Sequence, residues 1–136
     1  MVDKFIKYIC EILKIDVPVV KINRNKMATE STLACIENGI VYLKTKQPSL
    51  DLLFAISHEL RHIWQIKTDQ EFYFKNYKTS QEIDDIDVYN QQVAELDANA
   101  FGYMIMSANY GVEPLFNGLS KETVQMIKEY TRRWQN

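Results

Sequence analysis

The pentapeptide His58-Glu59-Leu60-Arg61-His62 constrains this chain more than any other stretch. On an α-helix, residues four apart stand about 40° from one another around the axis and so share a face. Two imidazoles placed that way can close on one metal ion, zinc above all. The carboxylate beside them can then take a proton from a water that the metal activates. The chain has two histidines in total, and both lie in this motif.

The surroundings of the motif predict the helix it needs. Pro48 breaks the chain, Ser49 is placed to cap, and Asp51 falls in the first turn, where the helix dipole favours an acid. From Leu50 to about Lys67 the segment is apolar nearly all round, as a central helix is. Leu53, Ile56, Leu60 and Ile63 form the strip opposite His58, so the two histidines open on one side of a helix whose other sides are core.

A hydrolytic zinc site takes three protein ligands and keeps a further position for water. No third histidine exists, so the missing ligand is Asp, Glu or, less often, Cys. A second helix, expected from Val88 to about Ala108 with Asp87 as cap and Gly111 near its end, carries Glu95, Asn99, Gly102 and Met106 on one face. That face lies between two apolar strips, one of Val93, Leu96, Ala100 and Met104, the other of Ala94, Ala98, Phe101 and Ile105. A carboxylate buried between them needs a partner, and a metal ion is one. Glu95 is therefore the candidate third ligand. Asn99, one turn on, can hydrogen-bond an imidazole N–H and fix its tautomer. Asp97 competes as a ligand but points about 200° away from Glu95 around the helix, so both cannot face the metal squarely. Ala98 and Gly102 are small enough to let the two helices approach closely.

The other elements read as a small sheet and flanking helices. Phe5, Ile6, Ile9, Ile12 and Leu13 recur at helical spacing over residues 3–14. Val17–Ile22 reads as a strand and Asn23–Glu30 as a turn region. Thr32–Glu37 and Ile40–Lys44 flank Asn38-Gly39, the strongest short hairpin signal, because both turn positions need positive φ. These strands predict a three-stranded, at least partly antiparallel sheet. Thr68–Asp87 mixes aromatic, basic and then acidic residues, and reads as an irregular connector or as a lip of a substrate cleft. Ser120 caps a last helix from Lys121 to about Arg133, with Val124, Ile127, Tyr130 and Trp134 inward.

Composition excludes several classes. A length of 136 residues suits a single domain spanning 1–136, and a net charge of −2 gives no general affinity for nucleic acid or anionic membrane. No apolar run approaches the roughly 20 residues of a membrane helix, and Asp3, Lys4, Lys7, Glu11 and Lys14 make the N-terminus unlike a signal peptide. Cys10 and Cys35 are too few for a disulfide framework and read as reduced residues of a cytoplasmic protein.

The two motifs together resemble a known group. HExxH followed by a helix with Glu-x-x-Ala-Asn/Asp is similar to the gluzincin metallopeptidases, and Glu95-Leu-Asp97-Ala-Asn99-Ala-Phe101 resembles the corresponding stretch of the small ImmA/IrrE (DUF955-like) metallopeptidases. The resemblance covers roughly residues 50–108. It implies that His58, His62 and Glu95 are zinc ligands, that Glu59 is the general base, and that Asp97 and Asn99 support them. It also implies a cytoplasmic endopeptidase; some members of the group are encoded on phages or mobile elements and act on helix-turn-helix transcriptional repressors. Two positions depart from it: Arg61 stands where many relatives carry a small residue, and Met104–Ala108 lacks the Met-Pro found in many relatives.

The expected fold is therefore α+β and zincin-like, a small three-stranded sheet packed against an HExxH helix and a second glutamate-bearing helix. The expected function is a zinc endopeptidase whose oxyanion donor is one of Tyr73, Tyr77, Tyr89, Tyr103 or Tyr110, with an edge strand holding the substrate by strand addition. A reading of a different class keeps the same ligands: a non-proteolytic, zinc-stabilised protein-interaction module. A metal-free α+β module is a third. Glu59 discriminates the first two, because a structural site needs the ligands and not the base.

Overall fold

The computed structural model describes residues 1–134. Among them are helices α1 (Val2–Leu13), α2 (Leu50–Phe74), α3 (Ile86–Asn90), α4 (Val93–Tyr110) and α5 (Lys121–Thr131). Strands β1 (Val20–Ile22), β2 (Ala34–Glu37) and β3 (Ile40–Leu43) complete the α+β architecture. No helix among the described residues is long and apolar enough to cross a membrane.

The sheet has the order β1-β3-β2, with β1 parallel and β2 antiparallel to the central β3. The Asn-Gly turn forms as the sequence requires, with φ of 53° at Asn38 and 77° at Gly39. Glu37 pairs with Ile40 across it, and Lys44 N donates to Leu33 O beyond the strand end. Antiparallel pairing alternates, so Leu33, Cys35 and Glu37 spend their backbone groups on β3, while Ala34 and Ile36 turn theirs to the open edge. The inward side chains Ala34, Val41 and Leu43 pack on α2 and α1, whose buried residues include Phe5, Ile6, Ile9, Leu53, Ile56 and Leu60.

The second helix layer decides where polar groups are forced inside. α4 packs against α2 on one side, and on the other its Leu96 and Ala100 meet Ile127 and Tyr130 of α5. Every residue from Ala94 to Gly102 is buried as a result. Close approach of α2 and α4 depends on Gly102, where a Cβ would stand 2.6 Å from Phe54 Cε2.

Three boundaries differ from expectation. α2 does not end near Lys67: Asp69 leaves the helical conformation (φ −160°, ψ 74°), its Oδ1 accepts from Phe72 N at 3.1 Å, and the helix resumes to Phe74. The helix expected from Val88 is broken, because Gln92 is extended (ψ 144°). The Gln92 side chain grips the Lys78 backbone instead, accepting from its N–H at 2.8 Å and donating to its carbonyl at 2.9 Å. Asp87 is not the cap of α4. Asp85 caps α3, and Asp87 accepts from Ser120 N and Thr123 Oγ1, both at 2.8 Å, fastening α3 to the start of α5. The expected caps Ser49, Ser120 and Gly111 are all found in place. Both cysteines are free, Cys10 buried and Cys35 half-buried.

Candidate metal centre

α2 and α4 bring together the residues that the sequence singled out. His58 Nε2 lies 3.1 Å from Glu95 Oε1, His62 Nε2 lies 3.1 Å from Glu95 Oε2, and the two Nε2 atoms are 3.1 Å apart. These are the three side chains of the described residues that converge as a metal-ligand cluster, with one donor atom from each within 4.8 Å of the others.

Hydrogen bonds traced back to the backbone fix the state of both imidazoles. Asn90 Nδ2 donates to Ile86 O at 2.9 Å, so its Oδ1 is left to accept from Asn99 Nδ2 at 3.1 Å. That turns Asn99 Oδ1 toward His58 Nδ1 at 2.9 Å, and His58 donates. On the other side Gln65 Nε2 donates to Ala94 O at 2.9 Å and to Asp97 Oδ2 at 2.8 Å. Its Oε1 is thereby aimed at His62 Nδ1, 2.8 Å away. Both rings donate from Nδ1 and turn Nε2 to the same point.

Two imidazole nitrogens and a buried carboxylate at this separation need positive charge between them, a proton or a cation. The electrostatics of the site makes the same demand. Burial would push His62 down, but the Glu95 carboxylate outweighs it and raises the imidazole to about 9. Burial would likewise raise Glu95, yet His62 and the hydrogen bonds from both histidines hold it well below the usual range. A proton answers one of the three contacts; a metal ion answers all of them, and two imidazoles with a carboxylate are a competent donor set for one.

Glu59 faces a different space. With His58, Phe54 and Asn99 it lines an open groove of about 330 Å³, closed on the far side by Thr32 and Ala34 at the free edge of β2. Burial pushes the Glu59 carboxyl up, partly offset by the two histidines. A carboxylate with raised proton affinity, beside the two histidines and open to a groove, is equipped to accept a proton.

Asp97 does not reach the metal point. Its carboxylate takes two hydrogen bonds from Arg61, from Nε at 2.8 Å and Nη2 at 3.2 Å, and one from Gln65. It supports His62 only through Gln65. Arg61, the departure inside the motif, is thus the buried partner of Asp97, with its guanidinium 3.6 Å over the Trp64 ring. Sequence reasoning missed Gln65, although a lone amide three residues after His62 on an apolar helix was the signal available.

Among the candidate tyrosines, Tyr77 reaches the site. Its hydroxyl donates to Glu95 Oε2 at 2.8 Å, with the Tyr89 hydroxyl 2.9 Å behind it. Tyr73 packs on Trp64, Tyr103 donates to Glu113, and Tyr110 lies exposed at the end of α4. The segment 68–87 is therefore more than a connector: it sets Phe74 6.0 Å from the His62 ring and Tyr77 on Glu95.

Compared with known proteins, the chain matches no family model, no curated protein and no solved structure.

Proposed function

We propose that this protein is a zinc-dependent endopeptidase with a zincin-like arrangement, similar to the gluzincins and to the ImmA/IrrE group. The observation that carries the reading is the meeting of His58, His62 and Glu95 at mutual separations of 3.1 Å beside Glu59, which opens on a groove. Ligand atoms around tetrahedral zinc stand roughly 3.3 Å apart, given bond lengths of about 2.0–2.1 Å.

Zinc held by these residues would supply Lewis-acid polarisation of a carbonyl and would acidify a water. The remaining work falls to the chain. His58 and His62, locked by Asn99 and Gln65, hold their Nε2 atoms still. Glu59 takes the proton of the attacking water and hands it to the leaving amine. The open edge of β2 offers the N–H and C=O groups of Ala34 and Ile36 to an extended peptide lying in the groove. Phe74 packs beside His62, and Tyr77 with Tyr89 hydrogen-bonds Glu95. A regulatory protein of the helix-turn-helix repressor class is the substrate that the resemblance suggests.

The rival reading, a zinc-stabilised interaction module that does not cut, needs the ligands and has no use for Glu59. The raised carboxyl of Glu59 in an open groove favours hydrolysis. The test is coexpression with candidate repressors. Wild type is expected to yield a cleavage product, and Glu59→Gln is expected to lose it by about 10²–10⁴-fold while still binding stoichiometric zinc. Undiminished cleavage by Glu59→Gln would remove Glu59 as the base, and full cellular function of that variant would favour the non-proteolytic module.

A further inference from the structure

Each imidazole of the site has a hydrogen-bond partner that sets its orientation. Glu95 has one too, and it comes from outside the two site helices. Tyr77 follows Asn76, whose backbone is left-handed (φ 62°), so the chain turns sharply after Phe74 and brings the phenol over α4. The next residue, Lys78, is gripped through its backbone by Gln92, three positions before Glu95 on the same stretch of chain. Tyr77 is therefore fixed relative to Glu95 by a short, rigid loop closure.

The direction of the hydrogen bonds follows from counting protons. Tyr77 has one hydroxyl hydrogen, and an ionised Glu95 Oε2 can only accept it. The hydroxyl of Tyr89, 2.9 Å away, must then donate to the Tyr77 oxygen. The chain Tyr89→Tyr77→Glu95 is cooperative, each bond polarising the next.

We propose that Tyr77, backed by Tyr89, is the positioning residue for the third ligand: its hydrogen bond takes up a lone pair of Glu95 Oε2, fixes the carboxylate whose two oxygens lie 3.1 Å from the Nε2 atoms of His58 and His62, and keeps it from occupying a second coordination position. The proposal rests on the metal-site reading and not on peptidase activity. It gives the tyrosine pair a role in a hydrolase and in a non-cutting module alike, because both need Glu95 fixed.

The test uses metal alone. Metal-free wild type, Tyr77→Phe and Tyr89→Phe are titrated with zinc and, separately, with cobalt(II), whose visible absorption is strong in four-coordinate sites and weak when a further ligand is added. Tyr77→Phe keeps the ring that packs 5.0 Å from Phe74, and its fold is checked by circular dichroism. The expected result is a loss of zinc affinity of about 10–100-fold in Tyr77→Phe, with a smaller loss in Tyr89→Phe. The cobalt absorption of Tyr77→Phe weakens as the freed carboxylate chelates through both oxygens. Affinity and spectrum unchanged from wild type in Tyr77→Phe would overturn the proposal and leave the phenol a packing residue. A phenolate-to-cobalt charge-transfer band in wild type would overturn it by making Tyr77 itself a ligand. If Tyr77→Phe does not fold, Tyr89→Phe decides: with wild-type affinity and spectrum, the proposal fails. Wild type that takes up neither metal refutes the metal site, and the proposal with it, which separates that failure from the others.

Discussion

Removing Asp97 should destabilise the protein more than any other change to a side chain that does not touch the metal point. Arg61 and Asp97 are 8% and 1% exposed, and their guanidinium–carboxylate contact has bonds of 2.8 and 3.2 Å. In Asp97→Leu the guanidinium stays where it is, 3.6 Å over Trp64 and 5.0 Å from Trp134, without a counter-charge. Breaking a buried pair from one side costs about 3–5 kcal/mol. Against a total of about 5–15 kcal/mol for a domain, that is enough to leave a marginal fold. Arg61→Met is expected to cost a similar amount, by orphaning the carboxylate. The double variant Arg61→Met/Asp97→Leu buries no charge, and should recover most of the loss, costing less than either single variant. The assay is urea unfolding of metal-free protein with a chelator present, so that binding does not add to stability. Zinc affinity makes a second readout. Asp97 steers His62 through Gln65, so the double variant should recover stability without recovering full affinity. Single variants each within about 1 kcal/mol of wild type, or a double variant as unstable as the sum of the singles, would refute the argument from burial and pairing.

Other outcomes follow from the same geometry. Gln65→Leu leaves His62 Nδ1 without its acceptor and should weaken zinc binding about 10–100-fold in a chelator competition, whereas a change within twofold would show that the amide does not orient the ring. The metal-free protein should be most stable between roughly pH 5 and 6.5. The stability that His62 contributes, with its folded value near 9 against 6.5 unfolded, is fully present below 6.5 and is lost as pH rises through 9. The stability from Glu95, lowered from 4.5, is present above that value and is lost as pH falls through its folded value. Because zinc must displace the proton on His62, zinc affinity should rise about tenfold per pH unit up to about 9, and a flat profile in isothermal titration would contradict the assignment. Gly102→Val should cost about 1–3 kcal/mol, because its Cβ would stand 2.6 Å from a Phe54 ring packed edge-on to Phe116, and Phe54→Leu should relieve part of that in thermal melts.

The sequence by itself determined whatever depends on spacing within one element. The spacing of four from His58 to His62 puts both rings on one face of any helix. The apolar strip opposite them decided which way that face would open. Asn38-Gly39 specified the hairpin, and Ser49, Ser120 and Gly111 marked helix ends, because caps and positive-φ turns are settled by a few adjacent residues. Glu95 and Asn99 were legible for the same reason, as a polar face between two apolar strips. What only the tertiary structure decided is which groups on different elements meet. Arg61 looked like an oddity within the motif until α4 brought Asp97 against it. Gln65 gained its role from Ala94 and Asp97 on the facing helix, and Tyr77 from a loop whose path depends on Gln92 reaching back to Lys78. Gln92 also broke the helix that local propensity would have run from Val88, a long-range hydrogen bond overriding a local preference. The two histidines and the glutamate were visible as candidates from covalent spacing alone. That they meet at 3.1 Å follows only from the packing of α2 against α4, where Gly102 leaves room for the Phe54 ring.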